Sequence, residues 1–495
     1  MLKRLWVLAA KALLFFVLVW LLVIAYWQYT RRVVSSADLL IYLALLPIGL
    51  LFAYWGVKAV LRLGRWAHTR LQRQAVENNT TQKVANETLP SAIHNPDRAI
   101  LVLAGAVCSG MGDAEMWIEK TRDYEIHHAL DRHLTEALGF GVRSCRVDEI
   151  VVDEMPIGTR MALLRMDKML SQVRDNLADV VRLAASYTGQ ARQQNAHADK
   201  RATLHPEWLG VPASAAVTEV TAKVTHIRKI SDLTILLLLP DFVAPEEAKG
   251  LQSDCHQWAL DLGWKQEAVN VLCVVLQQPF DGMKKLSEIF QQQLQKPGRI
   301  LTVFSAVSWL DEALLNGRLQ GDRAWSERLY KATTIVGEAA AGMVVSNDAL
   351  INPDTGEEHE ALARLSLFSL GAREKPIDVK GSIEAELLAQ MAHGQQAALG
   401  IDLAQIKSLV VSGDHWKGRP VELGRWMSDC LPHMNLVDGT IHVGQHLGEC
   451  EPLSDILGLV LAVEHCRQLA SPVLFCSNHS LSWRGMSVAM PVAAV

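Results

Sequence analysis

The side chains that carry nucleophilic, acid–base and metal chemistry near neutral pH are histidine, cysteine and the carboxylates. Asp414 and His415 are adjacent within Leu409-Val-Val-Ser-Gly-Asp-His-Trp-Lys-Gly418, and His446 lies in Gly444-Gln-His-Leu-Gly-Glu-Cys450. His442 and His446 stand four residues apart with His433 upstream, a spacing that could suggest a metal site. No acidic partner follows at fixed spacing, so no metal is expected. His127-His128 falls in a polar helical pattern and reads as solvated, and Glu338, among the small residues of Gly337-Glu-Ala-Ala-Ala-Gly342, reads as a buried structural carboxylate bonded to backbone. The eight cysteines form no Cys-x-x-Cys pair and sit mostly in apolar context, as in Val-Leu-Cys273-Val-Val, which fits free thiols in a reducing compartment. No Walker A, Gly-x-Gly-x-x-Gly, Gly-x-Ser-x-Gly or His-Glu-x-x-His pattern occurs, and no cofactor is expected.

These residues need a frame. Ala99 to Gly105 is a short apolar run closed by glycine, and runs of the same kind recur at 233–239, 269–276, 300–306, 341–345, 408–411 and 473–476. Helical patterns lie between them at 161–186, 283–294, 383–398 and 456–469. Buried strands alternating with helices predict an α/β domain with some parallel strands. The segment 190–209, rich in Gln, Ala and His, reads as an exposed loop.

The order of segments after Ile300 resembles the thiolase-like, β-ketoacyl-synthase-like superfamily. A strand leads into Val307-Ser-Trp-Leu-Asp311 and Asn316-Gly-Arg-Leu319, and then Ile335-Val-Gly-Glu-Ala-Ala-Ala-Gly342 resembles that family's Gly-Glu-Gly/Ala-Ala segment. Leu409 to Gly418 lies where a ketosynthase carries its His-Gly-Thr-Gly-Thr loop, and Gly444 to Cys450 where it carries Gly-His-x-x-Gly-Ala-Ala. The terminal pattern Val473 to Met490 resembles the closing strand, glycine turn and strand. The resemblance implies a duplicated, layered αβαβα domain, with halves at 98–346 and 347–495 and an inserted helical region at about 113–230. It also implies a homodimer, and glycines that let backbone layers approach at the centre.

Condensation in that family needs a cysteine at a helix N-terminus and histidines to activate it. The matching place, after the 269–276 strand, reads Gln277-Gln-Pro-Phe280, and Cys273 lies inside the strand as a core thiol. His415 matches the first histidine, but Trp416-Lys-Gly-Arg419 replaces the loop that shapes it; Gln445 stands at the second histidine, with His446 one residue away. No catalytic set is therefore expected, and Asp414, His415 and His446 are the fallback candidates.

The N-terminal part is different in kind. The runs at about 5–27 and 39–60 approach the ~20 residues needed to cross a bilayer. Lys58, Arg62, Arg65, Arg70 and Arg73 outnumber Arg31 and Arg32, which predicts a hairpin over 1–70 with the body in the cytoplasm, at the bacterial inner membrane that the resemblance implies. Residues 71–97 read as a polar linker. A net charge of -5 without clustered basic residues in the body argues against nucleic-acid binding. The expected protein is a membrane-anchored, non-catalytic thiolase-like component that binds a protein partner, as an adaptor or immunity-like component of the kind found in type VI secretion gene clusters. The alternative is an acyl-thioester-dependent condensing enzyme or acyltransferase with a displaced active site.

Overall fold

The computed structural model describes residues 99–123, 128–152, 160–202, 232–278, 280–295, 298–320, 326, 335–350, 359–379, 383–413, 418–436, 439–448, 450 and 453–492, together with Trp20, Leu21 and Ala25. Contacts divide the chain into Met1–Ser91 and Ala92–Val495. In the first unit the three described residues are helical and exposed, and the runs at 5–27 and 39–60 otherwise lie outside the described residues, as does the linker at 71–97. Among the described residues no helix is long and apolar enough to cross a membrane.

The second unit begins with β1 (Ala99–Ser109), α1 (Ala114–Arg122), β2 (Leu130–Thr135), β3 (Gly141–Cys145) and α2 (Met161–Ala202). Next come β4 (Asp232–Leu239), α3 (Pro245–Asp261), β5 (Val269–Val275), α4 (Asp281–Gln295), β6 (Arg299–Ser308), α5 (Glu312–Gln320) and β7 (Val336–Ser346). The remainder supplies β8 (Ala363–Ser366), β9 (Ser369–Ala372), α6 (Glu386–Leu399), β10 (Ser408–Val411), α7 (Arg419–Cys430), β11 (Thr440–His442), α8 (Val443–Leu447), α9 (Leu453–Leu469), β12 (Val473–Ser477) and β13 (Trp483–Met490).

Strand pairing shows a duplication. The sheet runs β11-β10-β12-β13-β8-β1-β7-β6-β4-β5, and reading from either end gives the same arrangement. With the short β2, β3 and β9 set aside, each half orders its strands third, second, fourth, fifth, first. In the first half β4 is parallel to β5 and β6, while β7 is antiparallel to β6 and β1. In the second, β10 is parallel to β11 and β12, while β13 is antiparallel to β12 and β8. The two first strands, β1 and β8, meet antiparallel, as a two-fold relation between the halves requires.

Parallel strands need crossover helices on the sheet faces, which is why β4, β6 and β7 are buried along nearly their whole length. One helix face pattern is diagnostic. α9 is apolar nearly all round and buried along most of its length, and it touches β1, β6 and β7 of one half and β10, β12 and β13 of the other. It is the middle layer. α2 and α3 pack on the strands of the first half, and α6 packs on β9 and β13 of the second with α7 beside it, giving the helix–strand–helix–strand–helix succession.

Two readings of the chain need correction. The segment from 190 is helical as far as Ala202, because its Gln, Ala, Arg and Lys are good helix formers and no proline interrupts them before Pro206. The inserted region at 113–230 also contains strands. β2 and β3 form an antiparallel pair, and β3 adds itself to the start of β7.

Candidate functional site

The place where a condensing nucleophile would stand is the turn from β5 into α4. Gln277 and Gln278 are exposed, the Gln278 amide donates to the Asp281 carboxylate at 3.2 Å, and Phe280 is buried. The Phe280 ring stacks on Trp483 of β13 at 5.6 Å and 17°, and lies 6.2 Å from the His479 ring. Lys284, one turn into α4, sets its ammonium 4.1 Å over Trp483, a cation–π contact. Aromatic rings from both halves therefore meet at the head of α4. Cys273 points elsewhere. Its Sγ lies 3.7 Å from the Ala248 carbonyl of α3, and burial pushes the thiol up, away from the thiolate a nucleophile needs. Burial pushes Cys108, Cys145, Cys255, Cys466 and Cys476 up to about 12.

Of the fallback candidates, Asp414 and His415 lie outside the described residues. The loop's ends are held: the Gly413 amide donates to Asn478 Oδ1 at 3.0 Å, and Gly418 precedes α7. His446 is buried on α8 with the His128 ring at 6.5 Å, while Gln445 is exposed. The short α8 is placed by glycines. A Cβ at Gly337 would stand 2.1 Å from the Leu447 carbonyl oxygen, and one at Gly448, whose φ is +73°, would stand 1.9 Å from the Ile335 oxygen. Backbones of the two halves touch there because neither position has a side chain. His433 pairs its Nε2 with the Ile406 carbonyl at 2.9 Å. Among the described residues no group of three His, Cys, Asp or Glu is placed to hold a metal ion.

Glu338 is a structural carboxylate, though held by more than backbone. Its Oε1 accepts from the Val147 amide at 2.9 Å, and its Oε2 from Ser308 at 2.8 Å and Arg165 Nε at 2.7 Å. Arg165 also donates to the Ile150 and Val147 carbonyls. Such a bidentate, fully bonded pair is the form in which a buried charge is tolerated. The second half has a counterpart of opposite order. Arg484 of β13, fully buried, donates from Nε to Glu422 of α7 at 2.9 Å, and Arg373 pairs with the other oxygen of the same carboxylate.

One polar cluster was not foreseen. At the carboxyl ends of β10 and β12, His479 Nδ1 lies 3.1 Å from Ser412 Oγ, 3.4 Å from Ser477 Oγ and 3.3 Å from Asp455 of α9. Arg419 of α7 donates to the His479 carbonyl. The available signal was a lone acid in the apolar sequence Leu453-Ser-Asp-Ile-Leu-Gly-Leu-Val. Although Ser, His and Asp meet here, a proton relay needs the acid on one imidazole nitrogen and the hydroxyl on the other. Both contacts fall on Nδ1, so this is no serine-hydrolase triad.

No protein-family model matches the chain, and no curated protein sequence matches it. Among solved structures, a chain of the complex of a type II PKS acyl-carrier protein with its ketosynthase, bound to the hexaketide, superposes with a TM-score of 0.51 and 9% identity, covering 80% of this chain and 100% of that chain. The ketosynthase from module 1 of the bacillaene synthase from Bacillus amyloliquefaciens FZB42 gives a TM-score of 0.49 and 12% identity over 81% of this chain and 74% of that chain. At that identity the first likeness shows the fold. The body of this protein has the thiolase-like α/β fold of ketosynthases.

Proposed function

We propose that this protein is a non-catalytic thiolase-like component that binds a protein partner at the membrane, its body held on the cytoplasmic side by the apolar runs at 5–27 and 39–60. The observation that carries the reading is the β5–α4 turn. Where a condensing enzyme presents a thiol to substrate, Phe280 is packed between Trp483 and His479, and the described cysteines whose thiols burial pushes up do not offer a thiolate in its place. The ketosynthase-like fold supports a condensing-enzyme-like scaffold. The resemblance to proteins of type VI secretion gene clusters makes an adaptor or immunity-like role at the bacterial inner membrane the reading we favour, and the same resemblance makes a homodimer part of it.

The alternative, a condensing enzyme or acyltransferase using Asp414, His415 and His446, is separated by turnover. Incubation of the full chain with acyl-CoA and malonyl-CoA, followed by product analysis, is expected to give no condensation above a protein-free control. Turnover that disappears in His415→Ala contradicts the non-catalytic reading.

A further inference from the structure

The His479 cluster buries a carboxylate that accepts no hydrogen bond. Asp455 is 2% exposed, and neither of its oxygens accepts a hydrogen bond of good geometry, yet Oδ1 lies 3.3 Å from His479 Nδ1. Burying a carboxylate without a partner is costly, and each such group needs an explanation. Three oxygens surround Nδ1, from Ser412, Ser477 and Asp455. A lone pair on that nitrogen would face the Asp455 carboxylate; a proton there satisfies it, and a positive ring compensates the buried charge.

We propose that His479 and Asp455 form a buried proton switch between the two halves: with its proton, the pair clamps the 478–483 turn onto Phe280 at the head of α4, and loss of the proton loosens that clamp. Among the described residues, the charged groups shown at His479 are Asp455 from α9, against the ring, and Arg419 from α7, on its carbonyl; Lys284 of α4 lies over the neighbouring Trp483. Arg484 of β13, next after that turn, is matched by Glu422. Asp414 and His415 of the adjoining loop lie outside the described residues. Arg419 and Lys284 oppose a charge on the ring, but neither approaches Nδ1 as Asp455 does. The clamp is mechanical as well as electrostatic. The turn that carries His479 also accepts the Arg373 amide at Ser482 and the Ile377 amide at Leu481, so it anchors the segment after β9.

The sign follows from linkage. A histidine that gains a carboxylate partner on folding adds stability that is fully present below its unfolded value of about 6.5, and that is lost as pH rises through the folded value. Melting of the full chain is therefore expected to fall by roughly 5 °C between about pH 6 and about pH 9. The fall should be absent in His479→Gln and Asp455→Asn and retained in Ser412→Ala, which keeps the pair. A wild-type profile that is flat, or an equal fall in both pair variants, overturns the proposal. Should the pair variants fail to fold, amide exchange of the 478–483 peptide in the wild type decides: corrected for intrinsic rate, its protection should drop as pH rises, and constant protection overturns the proposal.

Discussion

The two halves share a strand order but treat buried charge in opposite ways. In the first, the fifth strand carries a carboxylate, Glu338, matched by Arg165 from α2; in the second, the fifth strand carries a guanidinium, Arg484, matched by Glu422 from α7. Burial requires that each charge be neutralised, and the two halves place opposite members of the pair on the strand. The halves also differ after the third strand, where β11 leads through the short α8 to α9 and β5 leads directly to α4. α9 starts with Leu453-Ser-Asp455 and lies between both sets of strands, whereas α4 starts behind an aromatic plug. One scaffold position has become core, and the other is closed by rings from both halves.

The largest expected effect breaks the charge comparison. Glu422→Gln leaves the buried Arg484 and the half-buried Arg373 without their shared carboxylate, and should cost on the order of 5 kcal/mol in chemical denaturation, at least as much as Glu338→Gln, which strands a single arginine. Equal, small losses in both would show that the hubs do not hold the halves. Phe280→Ala removes a buried ring from the plug and should cost about 3 kcal/mol, read by the same titration. Near-normal stability there would mean that the mouth is open rather than packed. Gly337→Ala puts a methyl against the Leu447 carbonyl and should cost about 1–3 kcal/mol, and Gly448→Ala somewhat more because of its left-handed backbone. A double-mutant cycle on the two should be strongly non-additive, and additivity would contradict a shared contact.

The smallest effect concerns His465 of α9, whose Nδ1 is buried without a hydrogen-bond partner. Burial first, and the Arg122 guanidinium second, push its imidazole down to about 4. The unfolded chain takes up a proton below about pH 6.5 that the folded chain refuses until about 4, so stability should fall as pH drops through that window. Thermal melts of His465→Leu should lack this acid slope, and an unchanged slope would assign it to other groups. The window lies below the one assigned to His479, so one pH series reads both.

The strands were legible wherever both faces are covered. β4, β6 and β12 show as largely apolar runs because both of their faces are covered, and β5, half-buried at the sheet edge, is apolar but for Asn270. β2, with Leu130-Asp-Arg-His-Leu-Thr135, and the three-residue β11 gave no such signal. β13 hides a buried Arg484 that no periodicity separates from a surface residue. Gly337 stood in the segment where the resemblance puts a close backbone approach, and backbones do meet there; the equal approach at Gly448 gave no such signal. The site was less legible because its contacts are distant in sequence. Glu338 and Arg165 are 173 residues apart, and Ser412 and His479 are 67 apart. Pattern along the chain cannot report which side chains a duplicated fold brings face to face.

The central proposal is that no nucleophile behind β5 reacts with an acyl thioester. The direct test is the intact mass of the full chain after exposure to acetyl-CoA, malonyl-CoA and a longer acyl-CoA at neutral pH. The expected result is the unmodified mass in every case. A stable acyl adduct in stoichiometric amount, mapped to a cysteine or to the 277–281 turn and lost on thioester cleavage, would contradict it.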